Sequence, residues 1–408
     1  MTGPLSHLKV LDLSRVLAGP WTGQNLADLG AEVIKVERPG VGDDTRHWGP
    51  PFLTDKTGAP TGEAAYFLCA NRGKKSIAID LACKQGQALV RRLAAGSDIL
   101  IENFKVGGLA RYGLDYDSLS AAVPGLIYCS ITGFGQTGPY RDRAGYDFMI
   151  QGLGGLMSVT GERDDKPGGG PQKVGVAIAD IMTGQYATIA ILAALAERER
   201  TGKGQHIDMA LLDCQVAMLA NQNMNYLVSG QPPGRMGNAH PNIAPYQAFA
   251  TADGHVILAV GNDRQFARFC AVAGRPELAR DVRFARPRTR VENRAALIDI
   301  ITPIMAARAS ADWLAALEEA GVPCGPINTL EQVFEDEQVI HRGLRREVPH
   351  ALAGAVPQVA NPIRLGGVPL DHDVGPPALG EHTNAVLHDQ LGLDEGEIAA
   401  LRQAGVVA

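Results

Sequence analysis

An α/β fold is predicted by three features of the sequence. Short β-branched and aliphatic runs alternate with helical stretches, clusters of turn-forming residues follow several of those runs, and Ala, Gly, Leu and Val far outweigh the 5% of aromatic residues. Strands separated by helices of about ten residues cannot pair as hairpins; they build a mostly parallel sheet whose ligands gather at the strand carboxyl ends.

The first runs are Leu8–Leu13, Glu32–Val36, Ser76–Ile79 and Asp98–Ile101, with helical patterns at Trp21–Leu29 and Gln85–Ala95. A further strand, Leu126–Ile131, runs into a loop from Thr132 to Pro139 that is rich in glycine. After the break Gly168-Gly169-Gly170-Pro171, an apolar helix starts near Asp180 and ends at the charged run Glu197 to Thr201, where Gly202 stops it; Gln205–Leu211 reads as a strand. The pattern then changes. Tyr246–Thr251 and His255–Val260 flank a turn at Ala252-Asp253-Gly254 and form a hairpin, followed by helices over Asp263–Ala273, Arg290–Ala307 and Ala311–Glu319. The predicted organisation is a large nucleotide-binding-like domain over 1–221, a smaller α+β domain over 222–330, and a segment 331–408 that rejoins the large domain and ends in a helix near Asp394–Ala404.

At 408 residues and 45% hydrophobic content the chain has core material for two domains. A net charge of -6 with interleaved signs leaves no basic stripe for nucleic acid. The six cysteines are far apart and lack metal-ligand spacing, which argues against structural zinc and a disulfide framework and for a reducing, cytoplasmic setting. Met1–Val10 has no apolar core for a secretory signal. Val174–Leu195 is apolar but is interrupted by Asp180, Thr183, Gly184 and Gln185, so it reads as a buried helix and not a membrane span.

Dinucleotide, P-loop, Gly-x-Ser-x-Gly and His-Glu-x-x-His motifs are all missing. The loop Arg15–Pro20 instead makes a tight turn into a helix whose amides suit an anion. Arg38 follows the second strand, where it is either a phosphate ligand or a surface arginine paired with a nearby Asp; Arg72, Lys74, Lys75 and Arg111 share both readings. Asp180 is either a helix N-cap or a nucleophile kept ionised by helix amides inside an apolar pocket. His240, His47 and Tyr146 stand between structural and functional roles.

Several segments together carry a family likeness: Val10-Leu11-Asp12 with Ala18-Gly19-Pro20, the run Gly30 to Pro39, Glu102-Asn103-Phe104, Thr201 to Gln205, Gly321 to Pro326 and Leu379 to Thr383. On these the chain resembles the class III CoA transferases, the family of formyl-CoA and carnitine CoA transferases and of 2-methylacyl-CoA racemase. Arg15 to Pro20, Gly42 to Arg46, Tyr128 to Gly133, Arg143 to Asp147 and Pro245 to Phe249 bring it nearest the succinate/glutarate type.

The resemblance implies CoA transfer from an acyl-CoA to a small carboxylic acid, a dicarboxylate above all, with Asp180 passing through an anhydride and then an aspartyl-CoA thioester. It implies CoA contacts at Leu17, Ala18, Arg38, Ile79, Asp80, Leu81, Asn103, Phe104, Lys105, Arg111 and Tyr146. It also implies coenzyme A as substrate without a permanently bound cofactor or metal, and an interlocked homodimer. Leu17 departs from the glutamine of formyl-CoA transferases, as Gly237 to Pro245 departs from their glycine-rich loop. Tyr146 before Asp147 departs from the histidine of the racemases, which removes one of their two bases. Racemase and non-catalytic acyl-CoA binding are the alternatives. Arg46, His47 and His240, polar residues in loops flanking the matched segments, are expected to meet the acceptor's distal carboxylate.

Overall fold

The computed structural model describes residues 3–368, 370 and 373–408; Met1 and Thr2, which belong to the N-terminal reading above, lie outside them. Two compact units divide the chain. The first comprises 1–156, 174–223 and 338–408, the second 157–173 and 224–337. The segment 157–173, read from sequence as part of the large domain, thus groups with the second unit.

In the first unit the strands are β1 (Lys9–Asp12), β2 (Glu32–Glu37), the hairpin β3 (Phe52–Thr54) and β4 (Pro60–Ala64), β5 (Lys74–Ala78), β6 (Ile99–Glu102), β7 (Ile127–Thr132) and β8 (His206–Ala210). Six of them form a sheet in the order β5-β2-β1-β6-β7-β8, parallel throughout. Successive residues point to opposite faces, and both faces of the inner strands are covered, so neighbouring residues such as Ile99, Leu100 and Ile101 are all fully buried. Val10, Val33, Ile99 and Ile127 face one core with Leu26, Ile191 and Leu195. Leu11, Ile34, Ile77 and Leu100 face the other with Val90, Leu93 and Leu387.

The winding of the chain reverses between β1 and β6. Loops leaving two neighbouring strands in opposite directions open a crevice at the carboxyl edge, and this is where an open sheet binds its ligand. The helix Ala18–Asp28 follows β1, and the helix Ile178–Thr201 packs beside it. The latter is long and apolar enough by composition to cross a membrane, with mean hydropathy 1.5, but Ala179, Thr183, Ala187 and Ile191 are buried against the sheet unit. The remaining strands of this unit, named after those of the second, form a hairpin near the C-terminus.

The second unit carries β9 (Tyr246–Ala250), β10 (His255–Ala259) and β11 (Cys324–Pro326) in an antiparallel sheet, over a core that includes Phe249, Val256, Phe266, Phe269 and Trp313. The single helix predicted over Arg290–Ala307 is two, Pro287–Glu292 and Arg294–Ala306, broken at Asn293. Back in the first unit, β12 (Arg345–His350) pairs with β13 (Gly354–Val359), and helices Thr383–Leu391 and Glu395–Gln403 close the chain. Asp394 and Glu397 exchange backbone bonds in a capping box at the last helix.

Candidate active site at the switch point of the sheet

The loop after β1 is fixed residue by residue. The Ser14 N–H donates to Asp12 Oδ1 (2.9 Å), and Lys35 Nζ donates to the Ser14 carbonyl (2.8 Å). Arg15 exchanges two bonds with the Asn103 side chain, through its N–H (2.9 Å) and its carbonyl (2.6 Å). The Val16 N–H donates to Asp43 Oδ1 (3.2 Å), and Lys74 Nζ reaches both the Pro20 carbonyl (2.8 Å) and Asp12 Oδ2 (2.9 Å). Val16 has φ of 73°, a left-handed conformation that β-branched residues avoid. The pinning on either side offsets that strain.

Beneath the loop lies a buried charge lattice. Lys35 and Asp43 pair at 2.9 Å with both side chains fully buried. Burial pushes the Asp43 carboxyl up, but Lys35 and the hydrogen bonds from Thr45 more than offset it and hold it at about 2. Lys74, also fully buried, is pulled down to about 8 by its burial in spite of Asp12.

Above this lattice the strand-end loops enclose two adjoining lobes. One, of about 520 Å³, is lined by Arg38, Ile79, Asp80 and Leu81 from the ends of β2 and β5. The other, of about 640 Å³, is lined by Leu17, Ala18, Asn103, Phe104, Lys105, Arg111, Tyr146 and Asp180. Arg15 and Phe104 line both, with the guanidinium 5.9 Å from the ring centre. Arg38 and Arg111 meet no carboxylate among the described residues; Arg111 rests 4.5 Å from the Tyr112 ring. Arg72, Lys74 and Lys75 instead pair with Asp28, Asp12 and Glu32.

Asp180 differs from the helix cap read from sequence. The N-cap position of its helix is Ala177, and Asp180 lies in the first turn with its carboxylate turned to the cavity. The cap is supplied by Asp147, whose Oδ1 accepts from the N–H groups of Ala179 (2.7 Å) and Asp180 (3.3 Å). Burial, and then the charge of Asp147, push the Asp180 carboxyl up to about 7. The amides expected to stabilise its charge are engaged by a second carboxylate. Tyr66, unnoticed in the sequence, is pushed up to about 12 by burial and by Asp180, so its phenol stays protonated beside that charge; its ring meets Trp48 edge-on at 5.3 Å.

Residues 5–383 match CoA-transferase family III. The chain is 55% identical over 384 residues to the succinate–glutarate CoA-transferase of Agrobacterium fabrum, covering 94% of this chain and 95% of that one. It is 45% identical over 404 residues to the succinyl-CoA:glutarate CoA-transferase of Mus musculus, covering 99% and 90%. Among solved structures, a CAIB/BAIF family protein from Brucella suis superposes with a TM-score of 0.84 at 55% identity, over 96% of this chain and all of that one. Rv3272 from Mycobacterium tuberculosis superposes at 0.81 with 31% identity, over 94% and 98%.

The chain belongs to CoA-transferase family III. It is a CoA-transferase, and acyl-CoA is its substrate rather than a resident cofactor. A carboxylate that titrates near neutrality, in a cavity with unpaired cations along its rim, is suited to covalent acyl transfer.

Of the residues expected to read the acceptor, Arg46 is placed otherwise. Arg46 is 3% exposed; its guanidinium donates to Glu37 (2.7 and 2.8 Å), Glu63 (2.7 and 2.8 Å) and the Pro377 carbonyl (3.1 Å), and lies 3.6 Å from the Phe67 ring centre. It is a structural cation, because its donors are consumed inside the protein. His240 belongs to the second unit, where its Nδ1 accepts from the Asn242 N–H (3.1 Å) and its ring lies 5.2 Å from Tyr246. His47 is exposed, with Nε2 2.9 Å from the Val41 carbonyl, and lines neither lobe.

Proposed function

We propose that the chain transfers CoA from succinyl-CoA to glutarate or a dicarboxylate of similar size, with Asp180 as covalent carrier. The observation that carries this reading is Asp180 itself: a carboxyl raised to about 7, open to the lobe that shares Arg15 and Phe104 with its neighbour. The acceptor class is supported by the relatives from Agrobacterium fabrum and Mus musculus, which are named for transfer between succinate and glutarate.

The ionised Asp180 attacks the thioester carbonyl of the donor, giving a mixed anhydride and CoA thiolate. The thiolate attacks the aspartyl carbonyl; the anhydride C–O bond breaks, the donor acid leaves, and Asp180 holds CoA as a thioester. The acceptor carboxylate attacks that thioester and expels the thiolate, which then attacks the acceptor's own acyl carbon and frees Asp180. The Tyr66 phenol, protonated beside Asp180, is suited to donate to the oxygen on which charge develops. Arg38, Lys105 and Arg111 are assigned to the CoA phosphates. Ile79, Asp80 and Leu81 are assigned to the nucleotide, and Leu17, Ala18, Asn103, Phe104 and Tyr146 to the pantetheine arm.

The assembly we propose is a homodimer working in the cytoplasm. Phe148, Met149, Tyr186, Ile189 and Leu192 are exposed on helices of the first unit, an apolar surface that a second copy would cover. The six cysteines are unpaired, which suits a reducing compartment. Incubation with succinyl-CoA followed by hydroxylamine tests the carrier: the expected product is an aspartyl hydroxamate at Asp180, lost in Asp180→Asn. Absence of any adduct in the wild type with any acyl-CoA would sink the proposal.

A further inference from the structure

We propose that Arg143 is the residue that recognises the distal carboxylate of the acceptor; this rests on the dicarboxylate transfer proposed above. Arg143 lies in the loop between β7 and the helix Asp147–Leu153 and lines the same lobe as Asp180. The loop is rigid at its base. Gly133 and Gly145 meet backbone to backbone, with no room for a Cβ on either. Within the loop the Arg143 N–H donates to the Tyr140 carbonyl (2.9 Å), and the guanidinium lies over the Tyr140 ring at 4.5 Å and the Phe134 ring at 5.5 Å. Phe134 and Tyr140 are themselves packed edge to face at 5.5 Å.

Two aromatic rings beside a guanidinium restrict its position without consuming its N–H donors, and a guanidinium with free donors can bind a carboxylate through two parallel bonds. Among the described residues no carboxylate pairs with Arg143. Of the other arginines of the lobe, Arg15 pairs with Asp44 at 2.9 Å and Arg141 with its neighbour Asp142 at 3.5 Å, which leaves Arg111 as the other one without a carboxylate among the described residues.

The position along the chain separates Arg143 from the cations assigned to CoA. Lys105 and Arg111 follow β6, and Arg38 lines the adjoining lobe. Four residues beyond Arg143, Asp147 bonds the backbone of Ala179 and Asp180, which ties this loop to the nucleophile's end of the cavity. When the CoA sulfur is at Asp180, its phosphates lie at the opposite end of the pantetheine arm. A cation at the nucleophile's end therefore has no CoA phosphate to meet, whereas an acid activated at one carboxyl brings its second carboxylate there. Chain length alone discriminates weakly between acids, since one methylene is worth little, but a stacked arginine left without its counter-ion discriminates strongly.

The test compares Arg143→Ala, Arg143→Gln and Arg143→Lys with the wild type. Steady-state transfer from succinyl-CoA is measured to glutarate and to pentanoate, which has the same chain without the second carboxylate; binding of free CoA is measured by calorimetry. Expected is a loss in kcat/KM for glutarate on the order of 10–100-fold, carried mainly by KM. The preference for glutarate over pentanoate collapses, CoA affinity is unchanged, and Arg143→Lys partly recovers glutarate. A fall in CoA affinity parallel to the fall in activity would assign Arg143 to a phosphate and overturn the inference, as would an unchanged glutarate-to-pentanoate ratio. Hydroxamate formation at Asp180 by each variant, at saturating succinyl-CoA, separates this failure from failure of the carrier mechanism and shows that the variant is folded.

Discussion

Asp43 and Asp180 both stand at the carboxyl edge of one sheet, withdrawn from bulk water, and the structure treats them in opposite ways. Asp43 faces the Lys35 ammonium at 2.9 Å and accepts bonds from Val16 and Thr45, so it stays ionised and is held at about 2. Among the described residues no such cation faces Asp180, its helix amides are taken by Asp147, and it rises to about 7. Burial is the first influence on both; what differs is whether a counter-charge has been built beside it. The compensated carboxylate holds the strained Val16 backbone in place. The uncompensated one retains the reactivity that a cation would suppress.

The contrast breaks most sharply at Asp180. Asp180→Asn is expected to lower kcat by at least about 10³-fold, together with loss of the hydroxamate. Its stability should not suffer. A carboxyl whose folded pKa is raised contributes stability that is full below its ordinary value of 3.8 and is lost as pH rises through about 7. At pH 8 the wild type therefore carries a cost that asparagine removes, and the melting temperature of the variant should equal or exceed that of the wild type. A clearly lower one would mean that Asp180 is a structural residue.

The reverse is expected of Lys35→Met, which strands Asp43 without its cation. Removing one partner of a buried pair costs about 3–5 kcal/mol, to be read from urea unfolding at pH 7. Because the Asp43 pKa is depressed, the stability it contributes is present above 3.8 and is lost as pH falls toward 2, so the gap between variant and wild type should narrow over that window. A loss under about 1 kcal/mol at pH 7 would show the pair to be dispensable.

The smallest effect sharpens the comparison. In the wild type, kcat/KM for succinyl-CoA should rise with pH through about 7, as Asp180 loses its proton. Asp147→Asn keeps an oxygen for the Ala179 and Asp180 amides but removes the like charge. The rise should move toward acid by about one pH unit or less, since burial is the larger cause and persists. An unmoved profile would remove Asp147 from the electrostatics of the nucleophile.

Much of this was legible in the chain. The strands from Leu8 to Ile101 and at Leu126–Ile131 were readable from short β-branched and aliphatic runs such as Ile99 to Ile101, and Gly202 marked the end of the long helix. The hairpin at 52–64 was missed, since half-exposed strands such as Pro60–Ala64 lack that pattern. At the site, position in the chain pointed to Asp180 at a helix start and Arg38 after a strand, while Asn103, Phe104 and Lys105 came only from the family resemblance. Position misplaced Arg46, because an arginine in a polar loop reads alike whether it faces solvent or, as here, two buried glutamates. Arg143 was present in a matched segment, but nothing in the order of residues told that it would stack on Phe134 and Tyr140.

The α/β class, the run of strands and the loops in which ligand residues sit follow from the order of residues alone, because these depend on local periodicity and on turn-forming residues. The tertiary structure decided the ionisation of each carboxylate. A pKa depends on the charges brought within a few ångströms, and these come from far along the chain: Asp43 meets Lys35 across a turn, Asp12 meets Lys74 from two strands away, and Asp147 takes the amides that Asp180 was expected to use. A second carboxylate at the helix start, and no cation beside the first among the described residues, make Asp180 a candidate nucleophile instead of a cap.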